Sequence, residues 1–122
     1  MKQIDVIQNK QFFGILVDVK EEVLKVFGSK LKQLILYGSY ARNEQDPESD
    51  IDIMALVDDT ESTLRKATYP IANIMTQMSL KYDIFVSITE ETCNRYNEYR
   101  DVLPYFQNIY NEGIEIYGPA TA

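Results

Sequence analysis

The 122-residue chain has no histidine, no tryptophan and a single cysteine, Cys93. Each absence removes a class of chemistry. Without His the usual general base and the commonest zinc ligand are gone, and one Cys makes neither an intramolecular disulfide nor a thiolate zinc cluster. Cations are scarce as well. Twelve Lys and Arg face 19 Asp and Glu, a net charge of −7 that repels polyanions, so direct binding of nucleic acid is not expected. Long hydrophobic runs are also missing: the longest uncharged apolar stretch, Ile53 to Val57, falls far short of the ~20 residues that cross a bilayer. Met1 to Lys10 mixes Lys2, Asp5 and Lys10 among apolar residues, unlike a signal peptide, so a cytoplasmic protein without membrane association is expected. Pro and Gly are sparse, and no repeat or low-complexity segment interrupts the 45% apolar composition; one domain over residues 1–122 is the expectation. Its chemistry must rest on carboxylates, hydroxyls and backbone amides.

What is present reads as alternating elements. Asp18 followed by Glu21 has the spacing of a capping box, and Val19, Val23 and Val26 recur at helical spacing up to Gly28, predicting a helix over 19–27. Phe12 and Leu16 continue the spacing upstream, where Gly14 leaves open whether there is one helix or two. LKQLILY, residues 31–37, predicts a buried strand closed by Gly38, with Ser39 standing where a helix would be capped. DIDIMALV, residues 50–57, predicts a second strand. Leu64, Ala67, Ile71, Ile74 and Met78 predict a helix within 60–80, which Pro70 kinks or splits near Tyr69 at a cost of ~3 kcal/mol. YDIFVSI, residues 82–88, predicts a third strand, with Thr89 as the N-cap of the next helix. Tyr99, Leu103, Phe106 and Tyr110 predict a last helix ending near Gly113, with Pro104 tolerated near its start. The order implies an α/β (α+β) domain with a small mixed β-sheet and flanking helices.

The chemistry concentrates in LYGSYARNEQDPESDIDIM, residues 36–54. Asp50 and Asp52, at i and i+2 of a strand, project to one face. Eight of the 19 acids lie between Glu44 and Glu61, where no Lys or Arg occurs, and most of these are solvated loop surface. Asp50 and Asp52 differ because they run directly into an apolar strand. Two like charges roughly 5 to 7 Å apart there need a proton or a divalent cation, and with no His or paired Cys the natural ion is Mg²⁺ or Mn²⁺. Gly38 lets a phosphate approach the backbone, and the Ser39 turn and hydroxyl can hold phosphate oxygens. Arg42 reaches either a phosphate or a neighbouring acid. Asp83, the one acid in the third predicted strand, supplies the third carboxylate that two-metal phosphoryl transfer requires.

Gly38-Ser39, ten residues from Tyr40 to Ser49, then Asp50-Ile51-Asp52 resembles the signature of the DNA polymerase β-like nucleotidyltransferase superfamily. The surrounding GSYAR and SDIDI are similar to the minimal nucleotidyltransferase, or MNT, family of prokaryotes, and YDIFV and NIYNEGIEIYG extend the likeness over most of the chain. One departure is Asn43, where the family often has glycine; it bears on a turn and not on a ligand. The resemblance implies the nucleotidyltransferase fold and transfer of AMP from ATP with release of pyrophosphate. Asp50 and Asp52 would bind two Mg²⁺ or Mn²⁺ ions, Asp83 would join them and help the acceptor lose its proton, and Gly38 and Ser39 would hold the terminal phosphates. MNT proteins accompany HEPN-domain ribonuclease toxins and act as antitoxins by adding AMP to a toxin tyrosine, so a HEPN toxin is the implied partner. A chain of 122 residues leaves little room for an acceptor pocket of its own, so a homo- or hetero-oligomer is expected to complete it. Two other functions stay open at this point. One is a non-catalytic antitoxin that only binds its partner, with Tyr96, Tyr99, Tyr105, Phe106 and Tyr110 as interface; the other is a small-molecule, aminoglycoside-type nucleotidyltransferase.

Overall fold

A computed structural model describes residues 1–119. Strand β1 (Lys2–Gln3) leads through a short 3₁₀ turn to helix α1 (Lys10–Phe27), strand β2 (Leu31–Tyr37) and strand β3 (Ile51–Val57). Helices α2 (Glu61–Lys66) and α3 (Thr68–Tyr82), strand β4 (Val86–Thr92), helices α4 (Cys93–Tyr99) and α5 (Pro104–Glu112), and strand β5 (Ile114–Tyr117) complete the order. The sheet order is β1-β5-β2-β3-β4; β2 runs antiparallel to β3 and β5, while β3 and β4 are parallel, joined by the α2–α3 crossover. The mixed sheet with flanking helices is the expected architecture.

β3 sits between two apolar layers. Its odd-numbered residues, Ile51, Ile53, Ala55 and Val57, join Leu34 and Leu36 against Val19 and Val23 of α1 and Ile71 and Ile74 of α3. Its even-numbered Met54 and Leu56 join Ile35 in a smaller cluster with Tyr96, Phe106 and Ile109. Alternation therefore assigns Asp52 to the α4–α5 side of the sheet, on the same face as Met54.

Several local expectations are revised. α1 is one continuous helix that starts at Lys10, because the Asn9 side chain accepts the Phe12 N–H at 2.9 Å; burial of Ile15, Leu16, Val19 and Val23 offsets the ~1 kcal/mol cost of Gly14 in its interior. Asp18 therefore caps nothing and instead accepts from Lys81 Nζ at 2.8 Å and Tyr82 Oη at 2.6 Å, tying α1 to α3. Pro70 does divide the helical segment, at Ala67, and then lies in the first turn of α3, where its missing N–H costs nothing. The third strand starts later than its composition suggests. α3 runs on through Tyr82 and ends on Asp83 in the left-handed conformation, φ 55°, so β4 begins at Val86 and Thr92, not Thr89, caps α4. The N–H groups of Val86 and Ile88 on this edge strand are taken up by Ser79 Oγ at 3.0 Å and Met75 Sδ at 3.1 Å, so α3 shields the edge. Pro104 opens α5, and Gly113 stands just past its end as expected. No helix begins at Ser39: residues 39–43 form consecutive turns. The strands β1 and β5 carry too few residues to show a period of two.

Candidate active site

β2 ends and β3 begins at the same place. Tyr37 lies opposite Asp52 in the antiparallel ladder, so the Gly38-Ser39 turn and the aspartate pair, separated by ten residues in sequence, meet in space. The contact between them is intimate. Gly38 has φ +77°, and a Cβ at this position would stand 2.7 Å from Asp52 Oδ2. Only glycine satisfies both the backbone angle and the space. The turn is then tightened by Ala41 and Arg42, whose N–H groups donate to the Gly38 carbonyl at 3.1 and 3.2 Å. Asn43, at φ 57°, occupies the left-handed region, which asparagine tolerates better than most residues; this is the physical sense of an asparagine where glycine is common.

Asp50 is exposed and Asp52 half-buried. Burial, and then the charge of Asp50, push the Asp52 carboxyl above its ordinary value. Among the described residues neither carboxylate makes an ion pair. Two convergent carboxylates with unrelieved negative charge are a donor set that suits a hard divalent cation.

Asp83 is not gathered with them. As the exposed cap of α3 it stands outside the strand, and among the described residues no three Asp, Glu, Cys or His side chains are grouped closely enough to hold a metal ion. Ser87 is the β4 residue opposite Asp52. The displacement results from the extra helical turn before β4. Arg42 takes the second of its two open roles, donating from Nε to Glu44 at 2.7 Å and from Nη1 to Glu112 at 3.4 Å.

Two tyrosines join the site without a motif to mark them. Tyr37 Oη and Tyr105 Oη lie 2.9 Å apart, their rings edge-on at 5.9 Å. Burial first, then the bond to Tyr37, raise the Tyr105 hydroxyl well above its ordinary acidity range, and the charge of Asp52 adds to the effect. The signal in the sequence is weak: Tyr37 closes an apolar strand and Tyr105 comes directly after a proline. With Gly38, Arg42, Asn108 and Glu112 they line a cavity of about 190 Å³. A larger cavity, about 580 Å³, opens between Asp58, Thr60, Thr92 and Arg95 at the far ends of β3 and β4. Five strand residues separate it from Asp52, roughly 17 Å, so volume does not mark the chemistry here.

Comparison with known proteins agrees with the fold. MJ0141 of Methanocaldococcus jannaschii, assigned as a protein adenylyltransferase, is 38% identical over 77 residues, 63% of this chain and 76% of that protein. A solved toxin–antitoxin complex with AMP-PNP matches with TM-score 0.56 and 22% identity, covering 83% of this chain and 72% of its counterpart. The structure of a tri-AMPylated Shewanella oneidensis HEPN toxin with its MNT antitoxin matches with TM-score 0.50 and 18% identity, covering 86% and 74%. At these identities the solved structures establish the fold. The nucleotidyltransferase domain model matches residues 16–108, which include the Gly38-Ser39 turn and the aspartate pair, and the chain belongs to the nucleotidyltransferase domain family.

Proposed function

We propose that this protein transfers AMP from ATP to a protein hydroxyl, and that its acceptor is a tyrosine of a HEPN-domain toxin, which it thereby neutralises as an antitoxin. The observation that carries the reading is the juxtaposition of Gly38 with Asp52 Oδ2: a backbone open to phosphate lies against a carboxylate pair suited to a cation. The assignment of MJ0141 and the complexes with AMP-PNP and with a tri-AMPylated toxin support the nucleotide and the acceptor class.

Asp50 and Asp52 would hold Mg²⁺ or Mn²⁺, which when bound neutralises charge on the phosphates and lowers the barrier to displacement of pyrophosphate. Gly38 and Ser39 bind the terminal phosphates, and Arg42, once released from Glu44 and Glu112, adds a charge-assisted contact. Asp83 stands three residues before β4, whose Val86 pairs with Ile51, and so belongs to the same end of the sheet as Asp50; it is proposed as the third carboxylate. The acidic surface suits a basic, RNA-cleaving partner.

The test is transfer of label from α-labelled ATP, with Mg²⁺, to the protein encoded beside this one. Label on that protein that disappears with Asp50→Asn and Asp52→Asn is the expected result, and Asp83→Asn reports separately on the third carboxylate. A tight complex that carries no label, and neutralises equally well with both variants, overturns catalysis in favour of simple binding.

A further inference from the structure

The nucleophile class that a protein adenylyltransferase uses is already present beside its own carboxylates. Of the nine tyrosines, three are engaged elsewhere through their hydroxyl, their burial or their ring. Tyr82 donates to Asp18, Tyr96 is 3% exposed in the smaller core cluster, and Tyr40 stacks on Phe12. Tyr105 differs on three counts. Its hydroxyl is 2.9 Å from that of Tyr37, the residue paired with Asp52, and it lies within reach of the Asp52 charge. Its side chain lines the cavity that also contains Gly38 and Arg42, where the nucleotide phosphates are proposed to bind. Its residue is 48% exposed, so the ring edge meets water, and it sits in the first turn of α5 directly after Pro104, on a short helix outside the sheet. Tyr37, by contrast, is held in the ladder of β2.

We infer that the protein adenylylates its own Tyr105, within one chain, when no acceptor protein fills the site; the inference rests on the adenylyl-transfer reading above. In this step the Tyr105 Oη attacks the α-phosphorus of ATP. The bond from that phosphorus to the oxygen shared with the β-phosphate breaks, pyrophosphate leaves, and the phenolic proton passes to water at the exposed edge of the ring. The product carries AMP over the cavity beside Gly38, so the modified chain transfers AMP to an acceptor protein more slowly than the unmodified one.

The experiment incubates the full chain alone with α-labelled ATP and Mg²⁺, and in parallel with the protein encoded beside it, and then applies denaturation and peptide mapping by mass spectrometry. The expected result is a single AMP on the peptide containing Tyr105, at a rate per chain independent of protein concentration. Tyr105→Phe, which keeps the ring packed on Phe106 and removes only the hydroxyl, reduces this label to background, whereas Tyr69→Phe, at an 82% exposed position outside the cavity, retains it. Label on the acceptor protein with none on Tyr105 overturns the self-modification and leaves the adenylyl-transfer reading standing. Label on neither overturns both. Label that persists in Tyr105→Phe, or a rate that rises with protein concentration, overturns Tyr105 as the intramolecular acceptor.

Discussion

Gly38→Ala separates the cost of a backbone conformation from the cost of disturbing the site. At φ +77° an alanine pays about 1–2 kcal/mol for the left-handed conformation, which lowers the Tm of a 122-residue domain by roughly 4–8 °C. A second penalty is specific to this position. The new Cβ would stand 2.7 Å from Asp52 Oδ2, so the carboxylate or the strand end must shift by several tenths of an ångström. Displacements of up to 1 Å in reacting groups lower rates by about 100-fold, and the expected loss of AMP transfer approaches that size. Gly28 is the internal control. It too has positive φ, +56°, but a Cβ there meets nothing within 4 Å. Gly28→Ala, at φ 56° and ψ −135°, should thus lower Tm at least as much while leaving transfer per folded molecule unchanged. The assay pairs thermal unfolding with label transfer at a temperature where both variants are folded. Equal loss of activity in the two variants, or full activity in Gly38→Ala, refutes the reasoning.

Three further outcomes are expected. Asp52 is held above its ordinary value, so the native state binds its proton more tightly than the unfolded chain and is destabilised once that proton is lost; Asp52→Asn should raise Tm at neutral pH, less so as pH falls toward 3.8, and should abolish both transfer and the rise in Tm expected if Mg²⁺ binds at the proposed site. Asp18 is held below its ordinary value, first by Lys81 and then by Tyr82, so their stabilisation is present above pH 3.8 and fades as pH falls through the native-state value; Tyr82→Phe should cost roughly 1 kcal/mol or less at pH 7 and nothing in strong acid, read from chemical denaturation. Phe106, 1% exposed and edge-on to Tyr96, anchors α5 to the sheet, and Phe106→Ala should destabilise by about 3–5 kcal/mol in the same measurement; a smaller value would mean that α5 is not held by this cluster.

Much of the site was legible because its two halves are local patterns. LKQLILY forms the strand Leu31–Tyr37, and the apolar run after Asp52 forms β3, so the spacing from Gly38-Ser39 to Asp50 and Asp52 already encoded two adjoining strand ends. Pro70 marked a break in the helical segment and Pro104 a place near a helix start, because their missing N–H leaves few other places. The failures have equally specific causes. Asn9 and Asp18 are both competent caps, and the choice between them depends on Ile15 and Leu16 finding a core that local spacing does not reveal. YDIFVSI is apolar enough for either helix or strand, and the packing of α3 decided that Tyr82 stays helical while Asp83 turns the chain. That single boundary removed Asp83 from the strand in which its role had been read.

The sequence alone determined the fold class and the two strands that carry the candidate site, and it restricted the candidate chemistry to carboxylates, since it offers no histidine and only one cysteine to do otherwise. These come from composition and from patterns a few residues long. Tertiary structure decided which groups meet. It set Gly38 against Asp52, paired Arg42 with Glu112 across 70 residues, and laid Tyr105 on Tyr37 across 68. The first follows from the antiparallel pairing of β2 with β3, and the other two arise from how α5 packs on the sheet, which no local period in the chain records.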